Sequence, residues 1–206
     1  MTKELFRDAW PVSRETLDRL EALAALLTRW NPRINLVSAR TLPQLWTRHF
    51  LDSAQLLDLA PPAARHWADL GSGGGFPGLV VAILAAEQRP GLAVTLVESD
   101  QRKAAFLQTA ARTLGLDLRV VAARIEAVPP LAADILSARA LAPLPVLLSH
   151  AERHLAAGGT ALFPKGASLA RELAEALESW RFSHKKIASL TDPDSVILSI
   201  GGISRV

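Results

Sequence analysis

Beyond residue 62 the chain alternates short apolar runs with amphipathic ones, and this alternation constrains the fold more than any other feature. The runs at 66–70, 92–99, 118–123, 133–140 and 160–166 read as strands. The segments 76–87, 101–115 and 168–180 read as helices, as does the stretch from Leu144 to a stop at Gly158. Strands alternating with helices predict an α/β fold, a mostly parallel sheet with helices on both faces. The runs 182–190 and 195–202 read as a hairpin that closes the sheet with an antiparallel strand.

The first 62 residues follow another pattern. Ser13 is suited to cap a helix, and Leu17, Leu20, Ala24 and Leu27 recur at helical spacing. That helix is expected to stop near Trp30, because Pro32 follows. A second helix is expected over 42–59, with Leu45, Phe50 and Leu57 facing inward, closed by Pro61 and Pro62. The expected organisation is one domain over 1–206, with 1–62 a helical extension packed on it; 206 residues suffice for one sizeable core.

Composition excludes several functions. There is no cysteine, hence no disulfide scaffold, no thiolate zinc site and no cysteine nucleophile. The N-terminus lacks a signal-peptide pattern, and the longest apolar run, Leu79 to Ala86, is too short to cross a bilayer. A cytoplasmic protein is expected. Net charge is only +3, but from Arg29 to Leu51 there are Arg29, Arg33, Arg40 and Arg48 and no acid. Such a segment either follows a phosphate backbone or forms a solvated face whose arginines pair elsewhere.

Between the first predicted strand and the next helix lies DLGSGGGFPG, Asp69 to Gly78. Gly71, Gly73 and Gly75 let the backbone turn sharply and approach a ligand at the carboxyl end of a strand, where open α/β sheets bind. Glu98 follows the second predicted strand, placed to accept from the two hydroxyls of an adenosine ribose. A dinucleotide and S-adenosylmethionine both suit this layout. A pyrophosphate usually calls for a glycine where Phe76 stands, and the closing hairpin also favours S-adenosylmethionine.

The residue inventory narrows the acceptor. Methylation at C5 of a pyrimidine needs a thiol, which is absent. Exocyclic amine methylation uses an acid or amide before Pro-Pro and an aromatic after it; LAPPAA and AVPPLA lack both. N7 of guanine is a bare lone-pair acceptor, so its methylation needs alignment and no general base.

The motifs WNPRINLVS, RHFLDS, DLGSGGGFPG, SARALAPL and FPKG occur in this order over about Leu17 to Lys165. In these the chain resembles the bacterial 16S ribosomal RNA guanine-N7 methyltransferase G family, also called glucose-inhibited division protein B. The resemblance implies a class I S-adenosylmethionine-dependent, Rossmann-like fold acting on 16S ribosomal RNA, within the small subunit or its precursor. It implies that Gly71 and Phe76 line the methionine and sulfonium side and that Ile125 and Glu126 flank the adenine, with Gly73 also at the cofactor. Arg139 is implied near the cofactor carboxylate and the RNA target, as a positioning and electrostatic group. Relatives often show Lys then Arg where this chain has Arg102 and Lys103, and a basic residue where it has DPDSVILSI. A nicotinamide-dependent oxidoreductase and a non-catalytic ribosome-assembly factor are the alternative functions on such a sheet.

Several residues carry two readings. Arg139 binds an anionic ligand or pairs with Asp134 or Asp69. Lys165 contacts RNA phosphate, with Arg48 and Arg40, or snorkels. Arg48 and Asp52 are an i, i+4 ion pair, or with His49 form a face that closes over cofactor or RNA. Asp69 bonds the amides of the turn. Trp30 and Trp46 are expected in the core, and no metal site is expected at His150 and His154 for want of a third ligand.

Overall fold

The computed structural model describes residues 3–206. Helix α1, Lys3–Ala9, and α2, Arg14–Ile34, open the chain. Ser13 caps α2, its Oγ accepting from Thr16 N–H at 3.2 Å. Helix α2 runs past Pro32, because a proline in the last turn forfeits only one internal bond. It closes at Asn35, whose left-handed backbone (φ 47°) lets its N–H reach the Asn31 carbonyl. Residues 42–59 are helical in three pieces: a 3-10 turn at Leu42–Gln44, a wide π-helical turn at Trp46–Leu51, and α3, Asp52–Leu59.

The sheet follows as β1 His66–Leu70, α4 Gly78–Gln88, β2 Ala93–Val97, α5 Gln101–Thr113, β3 Arg119–Val121 and β4 Ala133–Ser137. Then come α6 Leu144–His154, β5 Leu155–Lys165, α7 Leu169–Leu177, β6 Trp180–Ala188 and β7 Val196–Arg205. Strand order is β3-β2-β1-β4-β5-β7-β6. Strands β1 to β5 are parallel, and β7 enters antiparallel between β5 and β6. The stretch Leu155 to Gly158, expected as helix, is strand: Leu155 pairs with Ala133, and the register shifts before Ile135 meets Thr160. The chain passes so close there that a Cβ on Gly159 would lie 2.9 Å from the Ala133 carbonyl oxygen. A glycine-glycine pair therefore marks a bulge in a strand rather than a helix stop.

Apolar residues pack on both faces of the sheet. On one, Phe6, Leu20, Leu23 and Leu27 of the N-terminal helices share a core with Leu79, Ile83 and Phe106 of α4 and α5. On the other, Leu144, Leu148 and Leu173 of α6 and α7 cover β4, β5 and β7. Glu87 of α4 ties the extension down, accepting from Ser13 Oγ at 2.9 Å and Thr16 Oγ1 at 2.5 Å. Trp30 meets Phe106 edge-on at 5.7 Å, and Trp46 lies between Phe6 and Phe50, so both are packing residues. Among the described residues no helix is long and apolar enough to cross a membrane.

Candidate active site

The strands deliver their chemistry at their carboxyl ends, as parallel sheets do. Gly71 follows β1 with φ 64°, and a Cβ there would meet Leu141 Cδ1 at 2.5 Å. Gly73, at φ 54°, aims its N–H at Glu98 Oε2, 2.7 Å away. Glu98 Oε1 accepts from Asp100 N–H at 2.8 Å. Each carboxylate oxygen keeps lone pairs for further donors, and such a group fits the two hydroxyls of a ribose. Asp69 is fully buried, accepting from Ser137 Oγ at 2.7 Å and Gly78 N–H at 3.2 Å. Burial pushes its carboxyl up to about 6 against those hydrogen bonds. It braces the turn from beneath.

Two hollows open on either side of loop 140–142. The first, about 430 Å³, is lined by Gly71, Gly73, Glu98, Lys103, Ile125 and Glu126 among others. Its glycine floor, acid and apolar flank fit an adenosyl group. The second, about 460 Å³, is lined by Arg48, Asp52, Arg139, Lys165, Glu172 and Asp192 with loop backbone. Ala140, Leu141 and Ala142 border both, and Ala140 is held at φ 51°, a strained conformation for a residue with a Cβ.

Arg139 pairs with neither Asp134 nor Asp69. Asp134 accepts from the backbone N–H groups of Arg65 and His66. The Arg139 guanidinium instead donates from Nη1 to Asp52 Oδ2 and the Arg48 carbonyl, both at 3.2 Å, and from Nη2 to His49 Nδ1 at 2.8 Å. It lies 5.0 Å over the Phe76 ring, on which His49 also packs at 4.8 Å. Phe76 is 4% exposed; it forms the floor beneath Arg139 and does not line the first hollow. Arg139 likewise borders the second hollow and not the first. Burial and both neighbouring arginines push His49 down to about 3.

The i, i+4 pairing of Arg48 and Asp52 does not form. The wide turn carries the two apart, since α-helical neighbours lose register where the helix widens. Arg48 reaches Asp192 at 2.9 Å, and Asp52 takes Thr191 Oγ1 at 2.8 Å beside Arg139. Both partners sit in the β6–β7 tip. Lys165 does not snorkel. Its ammonium donates to Glu172 Oε2 at 2.7 Å and the Ala142 carbonyl at 3.2 Å. Glu172 also accepts from Leu144 N–H and Ser168 Oγ, so this network clamps loop 140–142 to α6 and α7. Arg40 is exposed, one residue from Thr41, which touches His49.

Ile125 and Glu126 form a short 3-10 turn after β3. His154 touches the Ile125 carbonyl at 3.2 Å and His150 faces Glu126 at 3.8 Å. No cluster of three metal-ligating side chains occurs among the described residues. Sequence reasoning missed Thr191, Asp192 and Glu172. Glu172 had a visible signal, because it lies on the apolar stripe Leu169, Leu173, Ala176 of its helix, where an acid needs a partner. Asp192 had none, since nothing near it in sequence predicts Arg48.

Comparisons with known proteins bear on the family and the fold. The family described as rRNA small subunit methyltransferase G matches residues 16–196. A ribosomal RNA small subunit methyltransferase G from Ruegeria pomeroyi is 57% identical over 195 residues, covering 95% of each chain. One from Ruegeria sp. (strain TM1040) is 54% identical with the same coverage. A solved structure, a putative S-adenosyl-L-methionine-dependent methyltransferase from Methanococcus maripaludis, superposes with TM-score 0.60 at 12% identity, covering 82% of this chain and 94% of that one. The fold is that of the class I S-adenosylmethionine-dependent methyltransferases. The chain belongs to the rRNA small subunit methyltransferase G family.

Proposed function

We propose that the chain moves a methyl group from S-adenosylmethionine to N7 of one guanine in 16S ribosomal RNA, in the small subunit or its precursor. The observation that carries this reading is the pair of hollows sharing loop 140–142, one suited to an adenosyl group and the other to a base. S-adenosylmethionine supplies a methyl group already activated on a sulfonium. Gly71, Gly73, Glu98, Ile125 and Glu126 hold the adenosyl side, and Glu98 takes the ribose hydroxyls. Arg139 spends three contacts on its surroundings and keeps donors for the second hollow. Those donors suit O6, the acceptor beside N7 on the guanine edge.

The side chains around the second hollow suit a reaction without proton removal. Asp52 accepts from Arg139, Thr191 and Gln55, and Glu172 from Lys165, Leu144 and Ser168. Neither is a free base. The transfer leaves a positive charge on the ring, and the hollow is balanced to receive it. Arg48, Arg139 and Lys165 face Asp52, Glu172 and Asp192. Arg48, which lines this hollow, and the exposed Arg40 follow the RNA backbone. Lys165 acts on RNA through the loop it clamps. The N-terminal helices and the sheet act as one domain, since the extension supplies part of the acceptor wall. We place the enzyme in the cytoplasm, where the small subunit is.

The test uses methyl-labelled S-adenosylmethionine and small subunits lacking the modification, with label mapped by cleavage selective for N7-methylguanosine. Label at one guanine, absent from already modified subunits, is expected. Cofactor binding with no label in any RNA would sink the N7 assignment.

A further inference from the structure

We propose that His49 is a positioning residue for this transfer: a neutral imidazole, locked in one tautomer, that fixes the Arg139 guanidinium at the wall of the acceptor hollow. The proposal rests on the reading of that hollow as the acceptor site. An arginine side chain has donors only, so the 2.8 Å contact obliges His49 Nδ1 to accept. The ring proton then sits on Nε2, which donates to Thr41 Oγ1 at 2.9 Å. Thr41 spends its own hydroxyl hydrogen on the Ser38 carbonyl, also at 2.9 Å, so toward His49 it can only accept. Each proton in this chain has one place to go.

The backbone is shaped for the same end. In the wide turn, Asp52 N–H bonds the carbonyls of His49 and Thr47 and bypasses that of Arg48. The Arg48 carbonyl takes Arg139 Nη1 instead. Turns of this kind recur at functional sites because they free such groups. His49 itself does not border the hollow, and both of its nitrogens are engaged, so it is not a base acting on the RNA. A neutral acceptor has a specific use here. It orients the guanidinium without cancelling its charge, which a second carboxylate beside Asp52 would do. Arg139 and Arg48 both oppose its protonation, and the Asp52 carboxylate close by is taken up by Arg139.

The test compares His49→Asn, His49→Gln and Thr41→Val with the wild type in methyl transfer to small subunits, S-adenosylhomocysteine affinity and imidazole nitrogen-15 NMR. Asparagine places an acceptor where Nδ1 was. Glutamine reaches Thr41 but offers Arg139 nothing at that position. We expect His49→Asn to keep kcat within about threefold, and His49→Gln to lose on the order of 10- to 100-fold, as misplacement of a reacting geometry does. Affinity for S-adenosylhomocysteine should stay within about twofold in all variants, which also reports folding. Thr41→Val should fall between them in kcat. Equal loss in the Asn and Gln variants, or wild-type kcat in the Gln variant, overturns the proposal. So does an Nδ1–H signal in the wild type, where a persistent Nε2–H signal at pH 5 is expected. The NMR result stands whether or not the RNA target is guanine N7. A wild type that methylates another atom sinks the functional reading and leaves the tautomer lock to be judged on its own.

Discussion

The two hollows beside loop 140–142 are built in different ways. The hollow proposed for the adenosyl group is lined mostly by short segments that follow β1, β2 and β3, with loop 140–142 and His150 closing it, and a backbone N–H of Gly73 meets the Glu98 carboxylate there. The hollow proposed for the acceptor base is assembled from side chains brought from four separate regions, with Arg48 meeting a partner 144 positions away. Backbone geometry is set by local residue type, and it needs only glycines at the right strand end. Paired charges need the whole fold to find each other. The difference teaches that substitutions in the acceptor hollow should separate catalysis from cofactor binding, whereas those in the glycine turn should not.

The largest expected effect tests that separation directly. Arg139→Ala should lower methyl transfer by about 10²–10³-fold, as loss of a preorganised electrostatic donor does. Affinity for S-adenosylhomocysteine, measured by calorimetry, should change less than about twofold. A matching loss of affinity would merge the two hollows into one site. Next, Lys165→Met strands a mostly buried Glu172 carboxylate, and urea denaturation should show a loss of up to about 3 kcal/mol. A loss near zero would mean that Ser168 and the Leu144 amide suffice to hold loop 140–142. Glu98→Gln should weaken S-adenosylhomocysteine by roughly 10- to 100-fold, the value of a charge-assisted hydrogen bond, with kcat at saturation little changed. Unchanged affinity would remove Glu98 from the ribose.

The smallest effect is a pH dependence in which two buried groups oppose each other. His49 titrates at about 3 in the fold against an ordinary 6.5, so the unfolded chain gains a proton first and stability is lost as pH falls through that window. Asp69 is raised to about 6 from 3.8, so the folded chain holds a proton the unfolded one has released, and stability is gained as pH falls from about 6 to 3.8. Over the shared range the two slopes offset. Relative to the wild type, Asp69→Asn should steepen the acid loss and His49→Asn should flatten it, measured by urea midpoints between pH 4.5 and 7. A wild-type slope in both variants would show that neither group is perturbed as its burial implies.

Much of this protein was legible in the residues alone. Strand and helix periodicity predicted the parallel sheet and its antiparallel closure, because side-chain alternation is local physics. The glycine turn and the acid after the second strand were visible as a pair, and they meet at the Gly73 N–H, because backbone conformation depends on the residue that adopts it. Local rules failed where long-range packing outweighed them. Gly158 and Gly159 looked like a helix stop and became a strand bulge, because β4 pairs with that backbone. Arg48 and Asp52 looked like a helical ion pair and became two separate clasps on the β6–β7 tip and Arg139.

By itself, then, the sequence determined the sheet, the order of its elements and the glycine turn at the carboxyl end of β1. Only the tertiary structure decided which charges stand free and which are spent. Lys165 is consumed by Glu172, and Arg139 is held by Asp52 and His49 with donors to spare. The reason is physical: a charge taken out of water must find its partner in space, and proximity in space is what the chain acquires by folding.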